Sequence, residues 1–377
     1  MDKKSFFILC ALFATLSFSV SATSALVPSI ASYFGASKIL AGKLVWIYML
    51  PYGVCALLWA PLSKRFSLKK MIIFNLLLFS LSSLLVSGAS SLEIAFLGRL
   101  GMGIFGSSFI PLSLIIIGKE IEENLRPRYI GFLFSLSFFS SLCGVFLSGI
   151  VFWRIIYLLP SLSAFVLFFL SIFFLKDFCY QRRFKISYLD VFKERKVLRL
   201  FMIISLCSFF YHSIHQWLGV YLANLNFDQF LISSVFTISA LVAIVGENIG
   251  GFFASRFGKI KTTSLGLLSM SIFLFSLLFI KKWLIFILVI FWGLGWSFNH
   301  VGLSSILTSL PDEFLGESCS LNSSLRFFFG GLGSYLGGKS ISISGFKIHF
   351  LLIGLFIFLL SINLKKFLIT EGGRYGT

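Results

Sequence analysis

Glu247, Arg99 and Arg326 are the ionisable residues set deepest in apolar sequence, and each suits a particular task. A carboxyl group in low dielectric favours its neutral form. At Glu247 this would let a proton be taken up on one side of a barrier and released on the other. A guanidinium stays charged at any physiological pH, so Arg99 and Arg326 suit an anionic solute group or the tuning of a nearby proton carrier. In SFFYHSIHQWLG (208–219), Ser208, His212, His215, Gln216 and Gly219 fall on one side of a helix. Histidine titrates near neutral pH, which makes His212 or His215 a candidate relay for Glu247. In WGLGWSFNH (292–300), Trp292 and Trp296 stand one turn apart as an aromatic wall, with Asn299 and His300 beside them.

Each of these residues also has a packing role open to it. Glu247 lies among Ala240, Ala243, Gly250, Gly251 and Ala254, a face suited to close helix contact. Arg99 could snorkel or pair, and tryptophans fill ordinary interfaces. Arg326 sits on the stripe Asn322, Arg326, Gly330, Gly333, Gly337, which resembles Ser137, Ser141, Gly144, Ser148 earlier in the chain. Such a stripe faces either a cavity or a neighbouring helix. No carboxylate or cysteine completes a ligand set around the histidines, so no metal is expected. No phosphate loop, H-E-x-x-H or nucleophile elbow is present. GMGIFG (101–106) lies inside an apolar run, not between strand and helix. Neither a cofactor nor enzymatic activity is expected, and any transport must run on an ion gradient or downhill.

The elements that hold these residues are set by composition. Of 377 residues, 58% are hydrophobic and 12% charged, with a mean hydropathy of +0.97. A soluble domain carries about 45–50% apolar and about 25% charged residues. A soluble enzyme, a disordered tail and a secreted disulfide scaffold are thereby excluded. The six cysteines, Cys10, Cys55, Cys143, Cys179, Cys207 and Cys319, form no C-x-x-C pair. Apolar runs long enough to cross a bilayer lie at about 6–30, 42–62, 69–89, 93–117, 129–151 and 155–175. Six more follow at about 198–222, 230–254, 262–280, 283–308, 319–340 and 347–364. The expected fold is an all-α polytopic membrane protein with twelve transmembrane helices in two pseudo-symmetric six-helix bundles. The bundles cover 1–176 and 198–377, joined by a charged linker at 177–197. Lys3 and Lys4 followed by small residues at 19–25 imitate a cleavable signal peptide, but the apolar pattern continues to Pro28.

The net charge of +18 follows the same map. With the N-terminus inside, 23 of the 32 Lys and Arg fall in inner segments and 7 in outer ones, leaving Arg99 and Arg326 within spans. This bias places both termini and the linker in the cytoplasm and removes the need for nucleic acid as a partner. Phe178, Tyr180, Phe184, Tyr188 and Phe192 interleave the linker's charges, which suits either an anionic lipid surface or a solvated connection.

The two groups of six repeat. Arg65 and Phe66 match Arg256 and Phe257 at an offset of 191, and Gly101 and Gly103 match Gly293 and Gly295 at 192. CGVFLSG (143–149) matches LGSYLGG (332–338) at 189. Parallel repeats of six spans describe a transporter architecture that rocks around a midplane site.

These residues resemble a major facilitator superfamily transporter over essentially the whole chain. The family's loop G-x-x-x-D-R/K-x-G-x-R/K-R/K is echoed by Ala60, Lys64, Arg65, Ser67, Lys69 and Lys70. A second copy reads Gly251, Ser255, Arg256, Gly258, Lys259 and Lys261. Arg99 with Gly103 resembles the R-x-x-x-G signature, and Pro127–Arg128 and Trp153–Arg154 also fit. ALVPSIASYFGAS (25–37) and YMLPYGVCALLWAPLS (48–63) are similar to the drug:proton antiporter branch, also described as sugar-efflux-like. The resemblance implies a conformational gate at Arg65, Lys69, Lys70, Arg256, Gly258, Lys259 and Lys261. Lys64 and Ser255 depart from the family's loop Asp, so either the gate would be held differently or its equilibrium would be shifted.

The leading expectation is a secondary active transporter of the inner membrane, acting as a monomer and exporting a small organic solute in exchange for protons. The runner-up is an importer or facilitator of a small anionic metabolite. Two intramembrane arginines against one deep carboxylate favour it, and so does the lack of a carboxylate in the first six spans beyond Glu93. A third reading, a non-transporting receptor or scaffold, is permitted by the altered loops but lacks an appended sensor segment.

Overall fold

The computed structural model describes residues 2–63, 65–122, 125–177, 194–279, 282–307 and 312–368, and their regular structure is entirely helical. Lipid offers backbone groups no partner, so each crossing must satisfy its own hydrogen bonds. Among the described residues, ten helical stretches are long and apolar enough to cross a membrane. The ninth expected span, Lys259–Ser276, opens on Lys259 and Lys261 and is not one of the ten. The final stretch, Ser320–Leu368, takes in both the eleventh and twelfth expected spans. Its helix turns at Gly345, whose φ of 76° is readily adopted only without a Cβ. Every one of the twelve expected spans is thus helical, with the last two continuous through a glycine turn. Lys64 and the linker aromatics Phe178 to Phe192 lie outside the described residues.

Side-chain caps start several spans. The Asp2 carboxylate accepts from the Ser5 N–H at 2.8 Å, Ser91 from Ile94 at 3.4 Å and Asp228 from Leu231 at 2.8 Å. These contacts satisfy amides that the first turn leaves open.

The chain divides into two compact units, Met1–Ile186 with Leu218–Ser233, and Ser187–Trp217 with Ser234–Thr377. In the first unit, spans one and five are joined by hydroxyl contacts. Ser17 bonds Ser137, Ser141 donates to Ser21 at 3.0 Å and Ser140 to the Ala14 carbonyl at 2.7 Å. Gly144 lies so close to the Phe18 carbonyl that a Cβ would collide with it. Spans three and six are joined likewise, through Ser80 and Ser161 at 2.9 Å and Ser83 to the Tyr157 carbonyl at 2.7 Å. Lipid tails provide no apolar driving force for helix pairing, so small residues and interhelical hydrogen bonds supply the contact. The tip of spans seven and eight belongs to this unit. Gln229 donates to the carbonyls of Ala25 at 3.2 Å and Ser148 at 3.3 Å, while Ser233 bonds Ser148 at 2.9 Å.

The second unit repeats these contacts within itself. Gly333 meets the Phe209 carbonyl as Gly144 meets that of Phe18, and Gly337 follows on Ser213. The stripes on spans five and eleven therefore serve helix packing through their glycines and serines. Gly103 abuts the Tyr48 carbonyl, and its counterpart by contact is Gly293 on the Ser239 carbonyl. The pairing of Gly103 with Gly295 is thus corrected by two residues. Gly295 instead packs on Gly266 and Met270 of span nine, as Gly98 packs on Ser82 and Val86 of span three.

Candidate functional site

In the second unit, spans seven, eight, ten and eleven bring one polar and aromatic cluster together. Tyr211 is its centre. Its ring stacks on Trp296 at 3.8 Å, on Trp292 at 5.0 Å and on His215 at 4.9 Å. The Tyr211 hydroxyl lies 3.1 Å from His215 Nδ1, and the Trp292 indole N–H points to the same nitrogen at 3.5 Å. His215 is thereby held as an acceptor inside an aromatic sandwich. His212 donates from Nδ1 to the Ser208 carbonyl at 2.9 Å and meets the edge of Trp296 at 6.1 Å.

Glu247 is met by a different histidine from those expected. Its carboxylate lies 3.0 Å from His300 Nδ1, and neither His212 nor His215 bonds to it. The side chains of His300 and Glu247 are 29% and 25% exposed, so the pair is reachable without unfolding. His300 also stacks on Trp296 at 6.1 Å, which links the pair to the aromatic wall.

Arg326 donates from Nε to Asn322 at 2.9 Å, and its carbonyl accepts from the Ser208 hydroxyl at 2.6 Å. Its two terminal nitrogens are buried and, among the described residues, have no hydrogen-bond partner. Glu247 and Cys207 lie within electrostatic range of it. Asn299 is fully buried with both amide atoms open and the Cys207 thiol beside it. Gln216 is buried on the same helix as the histidines. Sequence reasoning passed over Tyr211, and set Asn322 on the Arg326 stripe without pairing the two. The signal for Tyr211 was its spacing of four from His215, and for Asn322 its spacing of four before Arg326.

In the first unit, Arg99 is 0% exposed, so it does not snorkel. Nε donates to the Leu44 carbonyl at 2.9 Å. The guanidinium lies over Tyr48 at 4.3 Å and nearer the edge of contact with Tyr157 at 5.7 Å. Cation–π contact and a carbonyl replace the carboxylate that such a buried charge usually needs. Arg99 ties spans two, four and six together. A separate cleft of about 350 Å³ in this unit is lined by Ser29, Ser32, Tyr33, Trp153 and Gln229, and contains none of the expected site residues.

The two loop motifs differ in geometry. Ser67 adopts φ −60°, caps span three by accepting from the Lys70 N–H at 3.3 Å and donates to Asp177. Gly258, at the matching turn, adopts φ 96°. Arg65, Lys70, Arg256 and Lys261 are exposed, and Lys69 and Lys259 partly covered. Arg256 lies over Phe252 and Phe257 at 5.8 and 5.6 Å. Among the described residues, no group of three His, Cys, Asp or Glu is placed to hold a metal ion.

Comparison with known proteins agrees with this architecture. The profile of the Major Facilitator Superfamily matches residues 7–337. The uncharacterized MFS-type transporter YwfA of Bacillus subtilis is 22% identical over 78% of this chain and 75% of its own length. Azole resistance protein 1 of Saccharomyces cerevisiae is 28% identical, but the match spans 40% of this chain and only 25% of that protein. Among solved structures, a D-xylose-proton symporter superposes with a TM-score of 0.78 at 14% identity, covering 98% of this chain and 99% of its own. The nucleoside transporter NupG gives 0.77 at 13% identity, covering 97% of this chain and 100% of its own. Multi-pass helices, the internal repeat and the family match lead to one assignment: the chain belongs to the Major Facilitator Superfamily of membrane transporters.

Proposed function

We propose that the protein is a proton-coupled secondary transporter of the cytoplasmic membrane, with both termini inside, that moves a small organic solute through alternating access. The observation that carries this reading is the partly exposed Glu247–His300 pair at 3.0 Å beside the Tyr211–Trp296 stack. A carboxylate hydrogen-bonded to an imidazole holds or releases one proton with little rearrangement, and the pair lies where a solute would touch it. Arg99, sealed among tyrosines, holds helices and does not contact solute. The exposed basic residues of the two loop motifs, from Arg65 and Lys70 to Arg256 and Lys261, serve the inner gate.

Two directions of transport each have support. Export in exchange for protons is favoured by the likeness to azole resistance protein 1. Uptake of an anion is favoured by the two open guanidinium nitrogens of Arg326. The test starts from a thermal-shift screen of the purified protein, since a ligand of the folded state raises its stability. The best ligand is then followed into proteoliposomes with and without a pH gradient. Accumulation is expected only with the gradient, and Glu247→Gln is expected to lose accumulation while keeping counterflow exchange. Gradient-independent accumulation by wild type would overturn the reading.

A further inference from the structure

Among the described residues, no oxygen reaches the buried guanidinium ends of Arg326. The nearby carboxylate does not answer them, because Glu247 bonds His300 instead. The His300–Glu247 and Lys176–Asp2 ion pairs do not involve Arg326. A forked guanidinium with two parallel donors matches a planar or tetrahedral oxyanion. His212 lies within electrostatic range of it and meets the edge of Trp296, on which Tyr211 stacks.

We infer that this pocket takes a small aromatic monoanion, its carboxylate or sulfonate on the two open nitrogens of Arg326, together with one proton on the Glu247–His300 pair. The inference rests on the site assigned above and goes further by naming the class of solute and its coupling. The charge balance supplies the coupling. With the pair unprotonated, the charge of Glu247 offsets that of Arg326 and the pocket is neutral. One proton on either partner leaves a single positive charge, which an anion then cancels. Each ligand therefore raises the affinity for the other by the same factor, so the two travel together.

Among the described residues, the other titratable groups of the cluster are Cys207, Tyr211, His212 and His215 from span seven. Span nine meets span ten through Gly266 and Met270, which carry no charge. His349 of span twelve is turned to the Ser213 carbonyl and the Ser340 hydroxyl.

The test is a thermal-shift titration of the full-length protein in chloride-free buffer with benzoate, benzenesulfonate, benzamide and benzylamine. Both anions should stabilise the protein and the amide and amine should not. Anion affinity should rise as pH falls from about 8 to about 6, by at most about tenfold per pH unit, the limit for one linked proton. Arg326→Gln should abolish the shift and Arg326→Lys should weaken it. Glu247→Gln should bind anion with little pH dependence. The comparison of ligands and pH needs only wild type, so it stands even if Arg326→Gln does not fold.

Stabilisation by benzamide or benzylamine to the same extent, anion affinity equal at both pH values, or no shift with either anion overturns the inference. If the neutral or cationic ligand binds and Glu247→Gln or Trp296→Ala removes that binding, the site stands and only the anion class falls. If ligands bind but no variant in the cluster affects them, the site falls too.

Discussion

Gly266→Ala puts the contact between spans nine and ten under direct strain. A Cβ at Gly266 would lie 2.5 Å from the Asn299 amide nitrogen and 2.6 Å from the Gly295 carbonyl oxygen, both backbone atoms. Cβ atoms need about 3.4 Å for ordinary contact, so span ten must move out by somewhat under 1 Å. Overpacking of this kind costs about 1–3 kcal/mol, while replacing a helical glycine returns up to about 1 kcal/mol. A net loss of about 1–2 kcal/mol is expected. The same movement carries Trp296, Asn299 and His300 and so disturbs the geometry of the 3.0 Å His300–Glu247 contact. Gly251→Ala on span eight is the control, because nothing lies within 4 Å of its would-be Cβ. The assay is thermal unfolding in detergent of both variants and wild type, followed by gradient-driven transport. Gly266→Ala should melt below wild type and transport more slowly, and Gly251→Ala should melt at or above it. Equal melting of Gly266→Ala and Gly251→Ala would refute the packing argument.

Other consequences are equally open to measurement. Gly258 adopts φ 96° with open space around it, so Gly258→Ala should cost about 1–2 kcal/mol through backbone strain alone, read as a lowered unfolding midpoint. Ser67→Ala removes both the cap on span three and the bond to Asp177, and should cost about 1 kcal/mol in the same measurement. Tyr211→Leu removes the ring shared by Trp292, Trp296 and His215 and should shift tryptophan emission; an unchanged spectrum would contradict the stack. The Ser5 N–H holds the Asp2 carboxyl below its ordinary value, with the Ser5 hydroxyl and Lys176 assisting against partial burial. A lowered carboxyl favours folding at pH values above the ordinary carboxylate range, and that contribution is lost as pH falls through the lowered value. Protection of the first-turn amides from hydrogen exchange should therefore fall only at acid pH in wild type, and be reduced already at neutral pH in Asp2→Ala.

Much of the fold was legible because lipid imposes a simple rule on composition. Twenty apolar residues between charges announce a span. Repeat offsets pointed to Gly144 and Gly333, and both turn out to press on a carbonyl of the first helix of their group of six, Phe18 and Phe209. The register of Gly103 was less legible, because several glycines crowd spans four and ten and only contact shows which face each serves. Within the site, residue type was readable and partnership was not. Glu247, Arg326, Trp296 and His212 do converge, but the histidine at the carboxylate is His300, fifty-three positions away in sequence. Arg99 looked like Arg326 in sequence and differs in surroundings: its guanidinium lies over Tyr48 with Nη1 on the Met102 sulfur and Nη2 open, whereas among the described residues both terminal nitrogens of Arg326 are open. The glycine turn at 345 was read as a loop between spans, because sequence cannot show that a single positive φ bends the chain there.

The central claim is that the Glu247–His300 pair carries the proton that moves with solute. Its most direct test is the pH inside proteoliposomes during solute flux, followed with an enclosed pH-sensitive dye. Benzenesulfonate suits the measurement, because it does not itself carry a proton through lipid. In wild type the lumen should acidify as the anion enters, and in Glu247→Gln counterflow of the anion should continue with no change of internal pH. Entry of the anion into wild-type vesicles at constant internal pH, or equal acidification in Glu247→Gln, would contradict the account.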